Sequence, residues 1–308
     1  MASTLSHHPR HLRAPRRGRR RPARSRQAVL VSGLVGIALP VIAGATTMTG
    51  AVTDAVLGPR AEIVPPTGDL PPIAAAAYVV VDGDTGEPLA SLNADQPRPV
   101  ASLVKLMTAR LVLEAGPLEH TATVPPLPIA GDESQAGLEP GDHVSRDELL
   151  EAMLVASAND AARTLAVDVA GDESRFVRTM NAEAASAGLD ATRYANPTGV
   201  DDPAQHSSAD DVARLARDLM QDAAFRRIVA AERTTIDGSE LPATNDLLGV
   251  YPGADGIKTG HTDEAGWCIA ASATRDGRSI VAVVLGAPTE RARDDAARAL
   301  LDYGFSVT

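Results

Sequence analysis

Apolar residues set two periods along the chain, and the alternation between them predicts the elements. AYVVVDGDTGEPLASLN, residues 77–93, is a β-branched run, a Gly/Asp turn and a second short strand, which reads as a β-hairpin. The next periodic stretch, 102–115, reads as a helix stopped by Gly116-Pro117. Its apolar residues (Leu103, Val104, Leu106, Met107, Leu111, Val112, Leu113) cover most of its surface, so a largely buried helix is expected. The middle, roughly residues 145–230, is helical: RDELLEAMLVA and DAARTLAVDVAG flank a break at Ser157-Ala158-Asn159, and FVRTMNAEAASAG and SADDVARLARDLM follow. Near the end IKTG, WCIAASAT and SIVAVVLGA read as strands. Arg275-Asp276-Gly277-Arg278 joins the last two, and its Asp-Gly suits a tight hairpin turn. PTERARDDAARALLDYG is a closing helix. The first hairpin can pair with the last to form one antiparallel sheet, with helices over its faces. The expected class is therefore α/β (α+β), an α/β/α sandwich with a central antiparallel sheet and a helical insert.

Charge divides the 308 residues unevenly. Residues 1–27 hold nine Arg, three His and no acid, whereas the other 281 hold 20 basic and 40 acidic groups, a net of −20. Such an acidic body repels phosphates and argues against nucleic acid as a partner, so the basic block is read as an arm outside the folded domain. An uncharged run from Gln27 to Thr53 follows, long enough to cross a bilayer. Basic residues before it place the N-terminus in the cytoplasm and the body outside. Segment 28–53 is expected to be a transmembrane anchor or a signal peptide cut near Ala43-Gly44-Ala45. Residues 54–74 are a Pro-rich linker, with Pro at 59, 65, 66, 71 and 72, and 75–308 are the working domain. The single cysteine, Cys268, lies in an apolar strand and reads as a buried small hydrophobe.

Of 29 basic residues only two are lysine, Lys105 and Lys258. Ser102-x-x-Lys105 places a hydroxyl and an amine on one helical face. Serine is a poor nucleophile until a base takes its proton. A buried lysine with a lowered proton affinity can be that base, and an arginine cannot. Ser157-Ala158-Asn159-Asp160 interrupts two helices with polar side chains that could relay a proton and hold a carbonyl; the same residue types are also common helix caps. Lys258-Thr259-Gly260-His261-Thr262 sets a cation, a hydroxyl and a glycine on a strand, suited to a terminal carboxylate, with the glycine admitting a close substrate backbone. An edge strand carrying a protective lysine would show the same letters.

Taken in order, S-x-x-K, S-x-N and K-T-G are the signature of penicillin-binding proteins and serine β-lactamases, although the middle motif here is S-A-N where S-D-N is the common form. ASLVKLMTA, ASANDAARTLA, FVRTMNAEAASAGL, SSADDVARLAR and DGIKTGHTDEAGWCIAASA resemble the low-molecular-mass D-alanyl-D-alanine carboxypeptidases, from about Ala76 to Phe305. The resemblance implies a β-lactamase/transpeptidase-like fold and a serine peptidase that trims peptidoglycan stem peptides ending in D-Ala-D-Ala. Ser102 would be acylated, with Lys105 as general base and Ser157 as proton relay. Asn159 would orient the substrate, Lys258 and Thr259 would hold the carboxylate, and Gly260 and Thr262 would line the strand. The backbone N–H groups of Ser102 and His261 would form the oxyanion hole. β-Lactams would acylate Ser102, and neither metal nor cofactor is needed. Many members carry a second, β-rich domain and a C-terminal amphipathic helix; neither is expected from these residues.

Rival readings lack their residues. A class A β-lactamase, by resemblance, adds a Glu-x-x-x-Asn loop; of Glu173, Glu183, Glu232 and Glu240 none has Asn four residues on. A metallopeptidase needs clustered ligands, but His120, His143, His206 and His261 are scattered and H-E-x-x-H is absent. His7-His8-x-x-His11 belongs to the basic arm. No G-x-S-x-G elbow supports a Ser-His-Asp hydrolase. A non-turnover penicillin sensor or wall-binding module is the alternative from another class; the 27-residue arm leaves no room for a signalling domain.

Overall fold

In β1 (Ala77–Asp82) Val79 and Val81 pack into one apolar cluster and Val80 into another, because a strand's side chains alternate between faces. The computed structural model describes residues 68–128, 131, 133–236 and 238–307. The basic arm, the apolar segment 28–53 and the linker as far as residue 67 lie outside the described residues. Among the described residues no helix is long and apolar enough to cross a membrane.

β1 turns into β2 (Pro88–Leu92), and a 3-10 turn, Ala101–Val104, leads into α1 (Lys105–Glu114). A small ribbon of β3 (Thr121–Thr123) and β4 (His143–Ser145) precedes α2 (Arg146–Val155), α3 (Asn159–Ala170) and α4 (Glu173–Ser186). Next come α5 (Ala209–Leu219), α6 (Ala223–Val229) and a second ribbon, β5 (Arg233–Ile236) with β6 (Ser239–Pro242). The chain closes with β7 (Ala254–Thr262), β8 (Gly266–Arg275), β9 (Arg278–Ala287) and α7 (Glu290–Ser306).

The main sheet has the order β2-β1-β9-β8-β7, every pair antiparallel, so the first hairpin does join the last. The β8–β9 turn is a two-residue loop with Asp276 and Gly277 both at positive φ (51° and 81°), the geometry that Asp-Gly favours. One sheet face (Cys268, Ala270, Val281, Val283, Leu285) joins the apolar cluster to which helices α1 to α6 contribute; the other (Ile269, Ala271, Ile280, Ala282, Val284) clusters with Ala297, Leu300 and Leu301 of α7. The sandwich is the one expected, with both faces of the sheet dry. Cys268 is fully buried, and burial pushes its thiol up to about 11.

Two local expectations change. The first turn of the Ser102 helix is 3-10, and α-helical bonding begins only at Lys105. The polar break before α3 supplies no N-cap side chain, because the N-cap residue is Ala158, although Asp160 in the first turn accepts from the Ala161 N–H. The two ribbons and α6 had no clear periodic signal, being three to seven residues long.

Candidate active site

The site begins where β7 and the Ala101–Val104 turn press together. A Cβ on Gly260 would stand 2.8 Å from the backbone N of Ser102, and one on Gly199 would stand 2.1 Å from the carbonyl oxygen of Ala101. Only glycine permits either approach. Gly260 therefore admits the protein's own nucleophile turn against the strand. Ala101 itself is held at φ 49°, an unfavourable region for a residue with a side chain. This turn presents Ser102 to a cleft while α1 buries the amine one turn later.

Lys105 has no exposed surface. Its Nζ lies 2.9 Å from Ser102 Oγ, 2.6 Å from Asn159 Oδ1 and 2.6 Å from the Thr198 carbonyl. The Thr198 carbonyl is fixed by Asn196, whose Oδ1 accepts from the Thr198 N–H, the Thr198 hydroxyl and the Gly199 N–H. Burial, and then the Lys258 ammonium, hold the Lys105 amine well below the ordinary lysine range. A neutral amine has two N–H groups and one lone pair. The two fixed oxygens take the N–H groups, so the lone pair is left for the Ser102 proton.

At the α2–α3 break Ser157 is held at φ 63° and lines the cleft beside Ser102, nine-tenths buried. Among the described residues its hydroxyl has no hydrogen-bond partner, so it does not yet join Lys105 or Ser102. Asn159 opens α3 and is committed on both sides, accepting from Lys105 and donating through Nδ2 to Glu133 Oε2 at 2.7 Å. The carboxylate of its neighbour Asp160 accepts from the backbone N–H groups of Ala136, Gly137, Leu138 and Ala161. Those bonds pin the loop carrying Glu133 and Ser134 against the cleft, aided by the Asn159 N–H, which donates to the Ser134 carbonyl at 2.8 Å.

β7 is an edge strand, yet Lys258 is 1% exposed, so it cannot protect that edge. Its Nζ donates to the Thr259 carbonyl at 3.0 Å, and burial, then the Arg293 guanidinium, lower its pKa to about 7. Thr259 donates to the Thr244 hydroxyl at 2.6 Å. His261 is exposed and stacks on Trp267 with centroids 4.0 Å apart. The Thr262 hydroxyl accepts from the Ala265 N–H, so it closes the β7–β8 turn even as the residue lines the cleft.

Arg293, from α7, is a site residue the sequence did not single out. It is 2% exposed and lines the same cavity as Ser102, Ser157 and Thr259. Its Nε donates to Asp294 Oδ1, and its Nη2 is buried and ion-paired with the same carboxylate at 2.7 Å. Glu133 is a second such residue, lying before the S-A-N motif and in none of the three motifs. Nothing in a run of exposed-looking arginines or a loop glutamate marks either one; both become visible only through burial.

Two cavities meet at Ser102. One, of ≈440 Å³, is lined by Glu133, Asn159, Val200, Asp201 and Asp263; the other, of ≈420 Å³, by Ser157, Thr244, Thr259 and Arg293. The first cavity carries the carboxylates of Glu133, Asp201 and Asp263, and the second the Arg293 guanidinium together with Asp246 and Glu290, with the hydroxyl between. A third cavity, of ≈580 Å³, lies beyond the β7–β8 turn, reaching His261 but not Ser102, and carries no part of this chemistry.

Comparison with known proteins adds relatives to this geometry. Residues 65–289 match the family described as D-alanyl-D-alanine carboxypeptidase. The chain is 35% identical over 242 residues to the D-alanyl-D-alanine carboxypeptidase DacF of Bacillus subtilis, covering 75% of this chain and 62% of that one. The chain therefore spans less than two thirds of that relative's length. Penicillin binding protein 6B from Escherichia coli superposes with a TM-score of 0.73 at 35% identity, over 76% of this chain and 78% of that one. Penicillin-binding protein D2 from Listeria monocytogenes, solved in a cefotaxime-bound form, gives a TM-score of 0.70 at 34% identity, over 76% and 98%.

Proposed function

We propose that this chain, which belongs to the D-alanyl-D-alanine carboxypeptidase family, removes the terminal D-alanine from peptidoglycan stem peptides through an ester on Ser102. The observation that carries the proposal is the 2.9 Å approach of a fully buried Lys105 amine to Ser102 Oγ, with both amine hydrogens already assigned to fixed oxygens. Lys105 takes the Ser102 proton as Oγ attacks the carbonyl of the penultimate D-alanine. The backbone N–H groups of Ser102 and His261 stabilise the oxyanion. The C–N bond then breaks, and the proton passes through Ser157 to the departing amine. Water cleaves the ester and restores Ser102.

The Arg293 end of the cleft gives the leaving D-alanine its place. Lys258, Thr259 and the Arg293 guanidinium receive its carboxylate, a charge-assisted pairing that a buried guanidinium makes well. Asn159 holds the amide of the acyl side, with Gly260 and Thr262 shaping the strand beside it. β-Lactams acylate the same serine. The N-terminal apolar segment holds the protein at the cytoplasmic membrane with the catalytic domain outside, or is cut to release it. That part rests on the sequence alone.

The test follows D-alanine release from a pentapeptide ending in D-Ala-D-Ala and, separately, penicillin adducts by intact mass. Release with a long-lived penicillin adduct is expected. Fast penicillin hydrolysis without peptide trimming would assign a β-lactamase instead, and acylation without any D-alanine release would assign a sensor.

A further inference from the structure

Asn159 faces two demands that only one orientation of its amide meets. Lys105 needs an acceptor, so that its lone pair stays free for Ser102, and Oδ1 supplies it at 2.6 Å. Were the amide turned over, an N–H would point at the amine and occupy that lone pair. Nothing in the asparagine chooses between the two states, since oxygen and NH2 have nearly the same size. Glu133 does choose, because a carboxylate can only accept; its Oε2 takes the Nδ2 hydrogen at 2.7 Å. The second Nδ2 hydrogen is left for a substrate carbonyl.

Glu133 is itself placed with care. Its side chain is 12% exposed, with Arg163 Nη2 3.9 Å away, and Arg163 is tethered by Glu173 at the start of α4. The loop that delivers it is pinned by Asp160 through the backbone N–H groups of Ala136, Gly137 and Leu138. No motif of the sequence includes this residue. We propose that Glu133 is a positioning residue for acylation, locking the Asn159 amide so that Lys105 can act as a base on Ser102. The inference rests on the function proposed above.

Charge gives the role a signature that mere support of the loop would not. The groups acting on Lys105 are Lys258, Arg163, Glu133 and Asp160; the two carboxylates favour its proton and the two other cations oppose it. Glu133→Gln keeps an acceptor for Asn159 and removes one favouring charge. Glu133→Ala removes both the acceptor and the charge.

The experiment measures the second-order rate of penicillin acylation of the full chain between pH 5 and 9, with the adduct site read by mass spectrometry and deacylation timed separately. Glu133→Ala is expected to lose about tenfold or more at the plateau, the size of a small misplacement of reacting groups. Glu133→Gln is expected to stay near the wild-type plateau with its acid limb moved to lower pH. Equal losses in both variants with an unmoved pH profile would overturn the proposal in favour of a structural role. So would a wild-type rate in Glu133→Ala. Acylation with an unmoved acid limb and slowed deacylation in Glu133→Gln would also overturn it, assigning the carboxylate to the hydrolytic water. If the wild-type chain forms no adduct on Ser102, the functional proposal itself falls, and this one with it.

Discussion

The two lysines are the residues at which composition turned into chemistry. In a chain that otherwise uses arginine, both sit at zero to one per cent exposure, where arginine would hold its proton and lysine need not. Lys105→Arg keeps the charge and removes the base, so penicillin acylation should fall to background while the fold persists; acylation near the wild-type rate would refute the role. For Lys258 the sign runs the other way. It is an ammonium below about 7 and loses its charge above, so its contribution to carboxylate binding should weaken as pH rises through that value. Arg293 stays charged throughout. Arg293→Ala should lower kcat/KM for the peptide about tenfold to a hundredfold, mostly in KM, the size of one charge-assisted hydrogen bond. An unchanged KM would remove Arg293 from the carboxylate site.

At the scale of elements, the motifs were legible because each sits at a junction that its own residues create. The 3-10 turn, the α2–α3 break and β7 bring Ser102, Asn159 and Lys258 into one cleft. Lys105 alone bonds partners 54 and 93 residues further along the chain. What could not be read was the reason for some letters. Gly260 is also the space into which the nucleophile turn fits. Asp160 looked like a cap and is the anchor of a loop 22 to 24 residues earlier. Those functions depend on which backbone arrives opposite, which no period in the sequence encodes. Asp160→Ala should cost about 2–4 kcal/mol, since four N–H groups, three part-buried and that of Ala161 buried, lose one acceptor. Proteolysis within 133–138 should speed up along with it, and a loop as resistant as in the wild type would contradict the anchor. Gly199→Ala, at φ +92° and against the Ala101 carbonyl, should disable the site more than it weakens the sheet.

For the whole molecule, the strand-rich ends and helical middle gave the sandwich directly, since alternating β-branched residues with both faces apolar require cover on both sides. Arg293 and Glu133 were not legible, because α7 and the 133–138 loop reach the cleft through long-range packing that no local pattern marks. Burying two lysines also couples stability to pH. Lys258 has a folded pKa of about 7 against an ordinary 10.5, so the unfolded chain binds more protons between those values. Its burial therefore costs most below about 7, and the cost is relieved as pH rises towards 10.5. Cys268 opposes this trend above its ordinary 9.0, and the raised tyrosines Tyr194 and Tyr251 oppose it above 10.0. Resistance to urea should thus rise between about pH 7 and 9, and Lys258→Met should flatten that rise. Parallel curves for the two proteins would show that the amine is not held in this way.

The claim on which the rest depends is that Ser102, served by Lys105, forms the ester. Its most direct measurement is the intact mass of the wild-type chain and of Ser102→Ala after brief exposure to penicillin, with D-alanine release from the pentapeptide assayed in parallel. The wild-type protein should gain one penicillin, mapped to the peptide containing Ser102, and should release D-alanine; Ser102→Ala should do neither while remaining folded. An adduct on Ser102→Ala, or D-alanine released by it at the wild-type rate, would contradict the account.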